Sequence, residues 1–158
     1  MTHMITSDFK WAAEVGAAED AECLYFRSAE ELKSFLVELE RREAGKLHIF
    51  KDYGKRPLRW WQRLFRIADW HRLPCLTLFW CDRYATLMFH DEASSDYHAL
   101  EPQPAADVPT EIRLQLNYEE PTPAPPEECL QKSCAFAAAC EFIDTGRRPK
   151  WLSYRYVH

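Results

Sequence analysis

Apolar positions recur along the chain with two different periods, and the changes between them mark out the elements. Ala21 to Arg27 (AECLYFR) mixes aromatic and aliphatic residues and predicts a strand. Ser28-Ala29-Glu30-Glu31 forms a capping box, in which the serine hydroxyl and the glutamate carboxylate satisfy amide donors orphaned at a helix start. Leu32, Phe35, Leu36 and Leu39 follow at the spacing of one helical face, and Gly45 is placed to end that helix. Leu47 to Tyr53 predicts a second strand. Pro57 suits the first turn of a second helix, where its missing N–H costs nothing. Leu58, Trp61, Leu64, Phe65 and Ala68 then repeat at helical spacing, and Pro74 stops the run.

Cys75 to Trp80 (CLTLFW) and Ala85 to His90 (ATLMFH) are strand-like runs bridged by Cys81-Asp82-Arg83-Tyr84, which predicts a hairpin. Thr110 to Tyr118 alternates Ile112, Leu114, Leu116 and Tyr118 against charged and amide residues, the pattern of a half-buried strand. Pro121, Pro123, Pro125 and Pro126 make a stiff connector. A third helix is expected from Pro126, with Glu127 and Glu128 in its electropositive first turn. Its inward stripe is Cys129, Ser133, Phe136, Cys140 and Ile143, and Gly146 is its stop. Trp151 to Val157 predicts a closing strand. Helices set between hairpin-forming strands predict an α+β fold, a largely antiparallel sheet of about five to six strands packed with two to three helices. Residues 1–20 lack periodicity and read as a loosely ordered lead-in. Residues 21–158 read as a single domain, with the basic helix 55–72 as an insertion.

Composition narrows the function. The chain of 158 residues is 47% hydrophobic and 28% charged, which excludes disorder. Four glycines are too few for the Gly-rich phosphate loops of nucleotide-binding α/β folds. There is no apolar run suited to a secretory signal or a membrane helix. The six cysteines show no CxxC or zinc spacing and read as reduced, packed thiols. A cytoplasmic protein without cofactor or metal is the expectation.

The net charge of −5 is unevenly spread. Residues 1–45 carry ten acids and five bases, residues 46–83 three acids and nine bases, and residues 84–158 twelve acids and six bases. Opposed fields on one domain suit oriented docking, although solvated faces of different sign would give the same count.

Three segments could carry chemistry. Lys55, Arg59, Arg63 and Arg66, interleaved with Trp60 and Trp61, would suit a nucleic-acid-binding module, since arginines neutralise phosphates and indoles stack on bases. The same segment also reads as an amphipathic helix with its tryptophans in the core. His90 to His98 concentrates metal-capable side chains, and His90 with His98 could serve a hydrolase, but the spacing matches no ligand motif and fits a polar hairpin loop. The thiols of Cys134 and Cys140 lie in an Ala-rich run where burial would make them poor nucleophiles. Together these features favour a non-enzyme.

The C-terminal segment carries a resemblance. Glu141-Phe142-Ile143-Asp144-Thr145-Gly146-Arg147-Arg148-Pro149, followed by Trp151-Leu152-Ser153-Tyr154, resembles the C-terminus of the Imm1 family, in which a Thr-Gly-x-x-Pro turn leads from a helix into a final strand. Tyr154 stands where that family usually carries Trp. These are immunity proteins encoded beside bacterial polymorphic or contact-dependent toxins. The resemblance implies a stoichiometric inhibitor whose partner is the C-terminal domain of a cognate toxin. A nucleic-acid-directed toxin presents a basic cleft, so the expected contact residues are acids: Asp91, Glu92, Asp96 and Glu101, with Glu119 and Glu120. Trp60 and Trp61 are the expected apolar anchors.

Overall fold

The computed structural model describes residues 10–16, 20–51, 74–91, 93, 95–103, 107–117 and 122–157. The expected helix 55–72, with Trp60 and Trp61, lies outside the described residues, as do Glu92, Glu119 and Glu120.

The fold is α+β, built on an antiparallel sheet of eight strands, somewhat more than expected. In chain order they are β1 (Trp11–Val15), β2 (Glu22–Phe26), β3 (Ala44–Lys51), β4 (Cys75–Cys81), β5 (Tyr84–His90), β6 (Asp96–Leu100), β7 (Leu130–Gln131) and β8 (Ser153–Val157). The sheet runs β2-β1-β3-β4-β5-β6-β8, and the short β7 pairs with β5 beyond the end of β6. Among the described residues three helices accompany it: α1 (Ala29–Glu40), α2 (Thr110–Leu116) and α3 (Lys132–Thr145).

The strand alternation divides the core. Leu47 and Ile49 of β3, Leu76, Leu78 and Trp80 of β4, and Ala85, Leu87 and Phe89 of β5 all belong to one buried cluster with α1 and α3. Leu32, Leu36 and Leu39 are the buried face of α1, as the spacing predicts. Ser28 caps that helix by accepting from the Glu31 amide at 3.2 Å. Glu31 reaches back one residue further than the usual box and accepts from the Arg27 amide at 2.9 Å. On the opposite face Phe79, Cys81 and Tyr84 form a second cluster with Val108, Leu116, Ala124 and Cys129.

Four expectations are corrected. Residues 11–15 are not a loose lead-in: β1 sits between β2 and β3, with Trp11, Ala12 and Ala13 buried. Two alanines give little strand signal by themselves, and pairing on both sides decides the state. Thr110–Leu116 is a helix rather than a strand. The alternation of Ile112, Leu114 and Leu116 also places the first and third on one helical face. Leu116 is buried, Ile112 packs beside it, and Leu114 is exposed. Pro126–Glu128 is a 3-10 turn and β7 follows, so α3 starts only at Lys132. The inward face of α3 is Ala135, Phe136, Ala138, Ala139, Phe142 and Ile143, while Ser133 is exposed and Cys129 lies before the helix.

Gly45 is the fourth. Helix α1 ends at Glu40 without it, and Gly45 belongs to β3 opposite Trp80. A Cβ at this position would fall inside the Trp80 indole, 2.6 Å from Cη2. Gly146 does end α3 as expected, in the left-handed region at φ 68°.

The two glycines predict different costs. Gly45→Ala must displace a buried indole and is expected to lower the unfolding free energy by about 1–3 kcal/mol. At Gly146 nothing lies within 4 Å of an added Cβ. Gly146→Ala therefore costs only the left-handed backbone, about 1–2 kcal/mol. Urea denaturation of both variants, with near-ultraviolet circular dichroism of the tryptophans, checks this: only Gly45→Ala should change the aromatic signal.

Candidate functional site

The expected acidic patch divides between the two ends of β6. Asp91 and Asp96 flank the β5–β6 turn. The Asp96 carboxylate meets His90 Nδ1 across the strand pair at 2.5 Å. Asp91 Oδ1 accepts from the amides of Ala93 and Ser95, each at 2.9 Å, which closes the turn. Glu101 lies past the other end, roughly 15 Å along the strand by its rise per residue. Its carboxylate accepts from the Gln131 amide at 3.1 Å, and its own amide donates to the Glu127 carbonyl at 2.8 Å. Asp91 and Asp96 are therefore neighbours, Glu101 is not, and all three carboxylates already hold partners within the chain.

The two histidines also separate. His90 pairs with Asp96, whereas His98 Nδ1 meets Glu128 Oε2 at 3.1 Å. Among the described residues no group of three or more metal-capable side chains converges. Glu128, expected to face a helix dipole, is instead a buried anion between His98 and the Arg155 guanidinium, which donates to its other oxygen. This ties the 3-10 turn to β6 and β8. The sequence held no signal for it, because the partners lie about thirty residues away on strands defined only by pairing.

A different site emerges at the end of the sheet where β3 stops, β4 starts and β5 turns into β6. A cleft of about 910 Å³ opens there beneath the C-terminus of α3. Phe89, Phe142 and Leu152 supply apolar lining, and Lys51, Arg147, Arg148 and Lys150 supply positive charge. The turn after α3 is held on both sides. Thr145 Oγ1 accepts from the Arg147 amide at 3.1 Å, and the Gly146 amide donates to the Phe142 carbonyl at 2.7 Å. The Tyr154 hydroxyl donates to the Pro149 carbonyl at 2.7 Å. Burial raises the Tyr154 pKa well above the ordinary tyrosine value. Arg148 lies flat over Tyr97, 3.6 Å from the ring centroid, and 5.0 Å from that of Tyr154. Trp151, half exposed, donates its indole N–H to Glu141 at 2.5 Å.

Five thiols are poor nucleophiles. Burial pushes Cys75 up to about 12 and Cys129 up to about 11, and also raises Cys81, Cys134 and Cys140. Compared with known proteins, the chain matches no family model, and no curated protein matches it.

Two outcomes follow from these groups. A folded-state thiol pKa raised above the ordinary 9.0 means that the unfolded chain loses its proton first as pH rises. Stability is thus fully present below pH 9 and declines as pH rises toward 11–12, where the folded thiols ionise. Urea midpoints measured from pH 8 upward should fall, and Cys75→Ala with Cys129→Ala should flatten the fall. Arg155→Ala leaves the buried Glu128 carboxylate short of a half-exposed guanidinium and is expected to cost about 1–3 kcal/mol in the same assay. Glu128→Gln, which removes the charge as well, should cost less.

Proposed function

We propose that this chain is an immunity protein: it binds the C-terminal domain of a cognate bacterial toxin in the cytoplasm and neutralises it by occlusion, without turnover. The toxin is a nuclease or another nucleic-acid-directed enzyme. The observation that carries the reading is the segment from Glu141 to Tyr154, where the family resemblance resides. It folds as a rigid turn, fixed by Thr145, Gly146 and the Tyr154–Pro149 bond, and it leaves Trp151 half exposed. A tryptophan held in place at a surface loses little entropy on binding and makes a strong anchor. The raised thiols and the two histidines already paired with carboxylates also favour a binder over an enzyme. Asp91 and Asp96 sit at the same end of the sheet and are the expected acidic contacts on the β5–β6 turn, beside the cationic cleft.

The test is rescue. The gene next to this one should encode a protein whose C-terminal domain arrests growth when expressed alone. Co-expression of the present chain should restore growth, and the purified pair should elute as a 1:1 complex. Growth arrest unrelieved by co-expression would exclude the reading. Within the complex, Trp151→Ala should raise the Kd at least tenfold while leaving the urea midpoint of the free protein nearly unchanged.

A further inference from the structure

We propose that the cleft under the C-terminus of α3 is a binding site for a nucleotide phosphate, recognised by side-chain cations. Its charge comes from two places far apart in sequence: Lys51 at the end of β3, and Arg147, Arg148 and Lys150 in the turn before β8. Asp91 is the one carboxylate among the described lining residues, and it accepts amides of its own turn. The carbonyl end of α3 contributes about half a negative charge. Among the described lining residues the cationic side chains outnumber the carboxylate four to one, so positive charge predominates there even after that offset. Among the described residues neither Arg147 nor Lys150 has a carboxylate within ion-pair distance. Single cations on a convex surface are neutralised by water. Four in one concavity with apolar walls focus their field on whatever enters.

Geometry selects the class of anion. Arg148 sits over the Tyr97 ring at 3.6 Å from its centroid and lines the cleft, and a guanidinium restrained by such a contact is suited to binding paired oxygens. A phosphate group carries three terminal oxygens and up to two negative charges and can meet a guanidinium and a neighbouring ammonium together, whereas a carboxylate offers two oxygens and one charge. Size selects the rest of the ligand. At about 910 Å³ the cleft is far larger than a bare phosphate and falls in the range that holds small organic ligands. Behind the buried Phe89, Phe142 and Leu152, the part-exposed Pro74, Tyr97 and Tyr154 offer apolar contact to a base or sugar. In a chain with four glycines, backbone amides in a Gly-rich loop are not the means, and side-chain cations take that role. Free nucleotides and nucleotide units of a single strand share this chemistry. The site is independent of the immunity reading.

The experiment uses the full chain, titrated calorimetrically with AMP and ADP. In parallel a fluorescent oligo-uridine RNA of roughly 12 nucleotides is titrated by polarisation. A poly-glutamate peptide serves as the competing anion. At least one nucleotide probe should bind at low salt and weaken as salt rises. Arg147→Gln with Lys150→Gln, both exposed, should weaken binding at least tenfold without shifting the thermal midpoint. Arg148→Lys keeps the charge but loses the flat stack, and it should also weaken binding. Binding of AMP or ADP identifies a free nucleotide as the source, and binding of RNA alone identifies a strand. The proposal is overturned if no nucleotide probe binds at millimolar concentration, if poly-glutamate binds in preference, or if the double variant binds undiminished.

Discussion

The structure rests on the need to cover both faces of one hairpin. Every residue of β4, from Cys75 to Cys81, is buried, and its partner β5 is buried at all but Met88 and His90. A strand hidden on both sides cannot be satisfied by one layer of helices, so the chain must supply cover twice. On one side α1 and α3 bring leucine, phenylalanine and small alanine side chains against Leu76, Leu78 and Leu87. On the other, α2 and the segment around Ala124 and Cys129 close over Phe79 and Tyr84. Thr86, a polar residue facing this second layer, donates to the Leu116 carbonyl at 2.9 Å, so the end of α2 is fixed to the sheet as well as packed on it.

That requirement explains what was legible in the sequence. Elements with strong local signals read correctly: the capped helix after Ser28, the hairpin through Asp82, the glycine that ends α3 and the aromatic last strand. Asp82 itself adopts φ 55°, a left-handed conformation that aspartate tolerates better than most residues. The elements missed or misread are those whose state depends on distant partners. β1 and β6 are short, and β6 is polar on one face, so only pairing on both sides makes them strands. α2 carries a pattern that fits either period, and the uncovered apolar face of the hairpin decides for the helix. The candidate site was legible as parts and not as a whole. Arg147 and Arg148 belong to the Thr-Gly-x-x-Pro turn, but no local rule brings Lys150 and Lys51 to them, and none shows that Arg148 would sit over Tyr97.

Charge follows the same logic. Four acids that look free in a linear reading are engaged: Asp91 closes a turn, Asp96 holds a histidine, Glu101 binds an amide of β7, and Glu128 is buried between His98 and Arg155. Among the described residues Arg147 and Lys150 hold no carboxylate within ion-pair distance, and Arg148 spends its face on aromatic rings. A chain with net charge −5 can present a cationic concavity because the fold gathers Lys51, Arg147, Arg148 and Lys150 in one place.

The contact between Gly45 and Trp80 reaches further than one strand. The same indole donates to the Arg42 carbonyl at 3.1 Å and meets the Phe136 ring edge-on at 5.3 Å. That carbonyl also accepts from Lys132 at 2.7 Å. Positions 42, 45, 80, 132 and 136 thus form one epistatic unit spanning more than half the chain. A larger residue at 45 becomes tolerable only after the indole is lost, and losing the indole first opens a void against Phe136. Side-chain changes at 45, 80 and 136 are therefore coupled, and the effect of one depends on which residues stand at the others, whereas position 42 takes part only through its main-chain carbonyl.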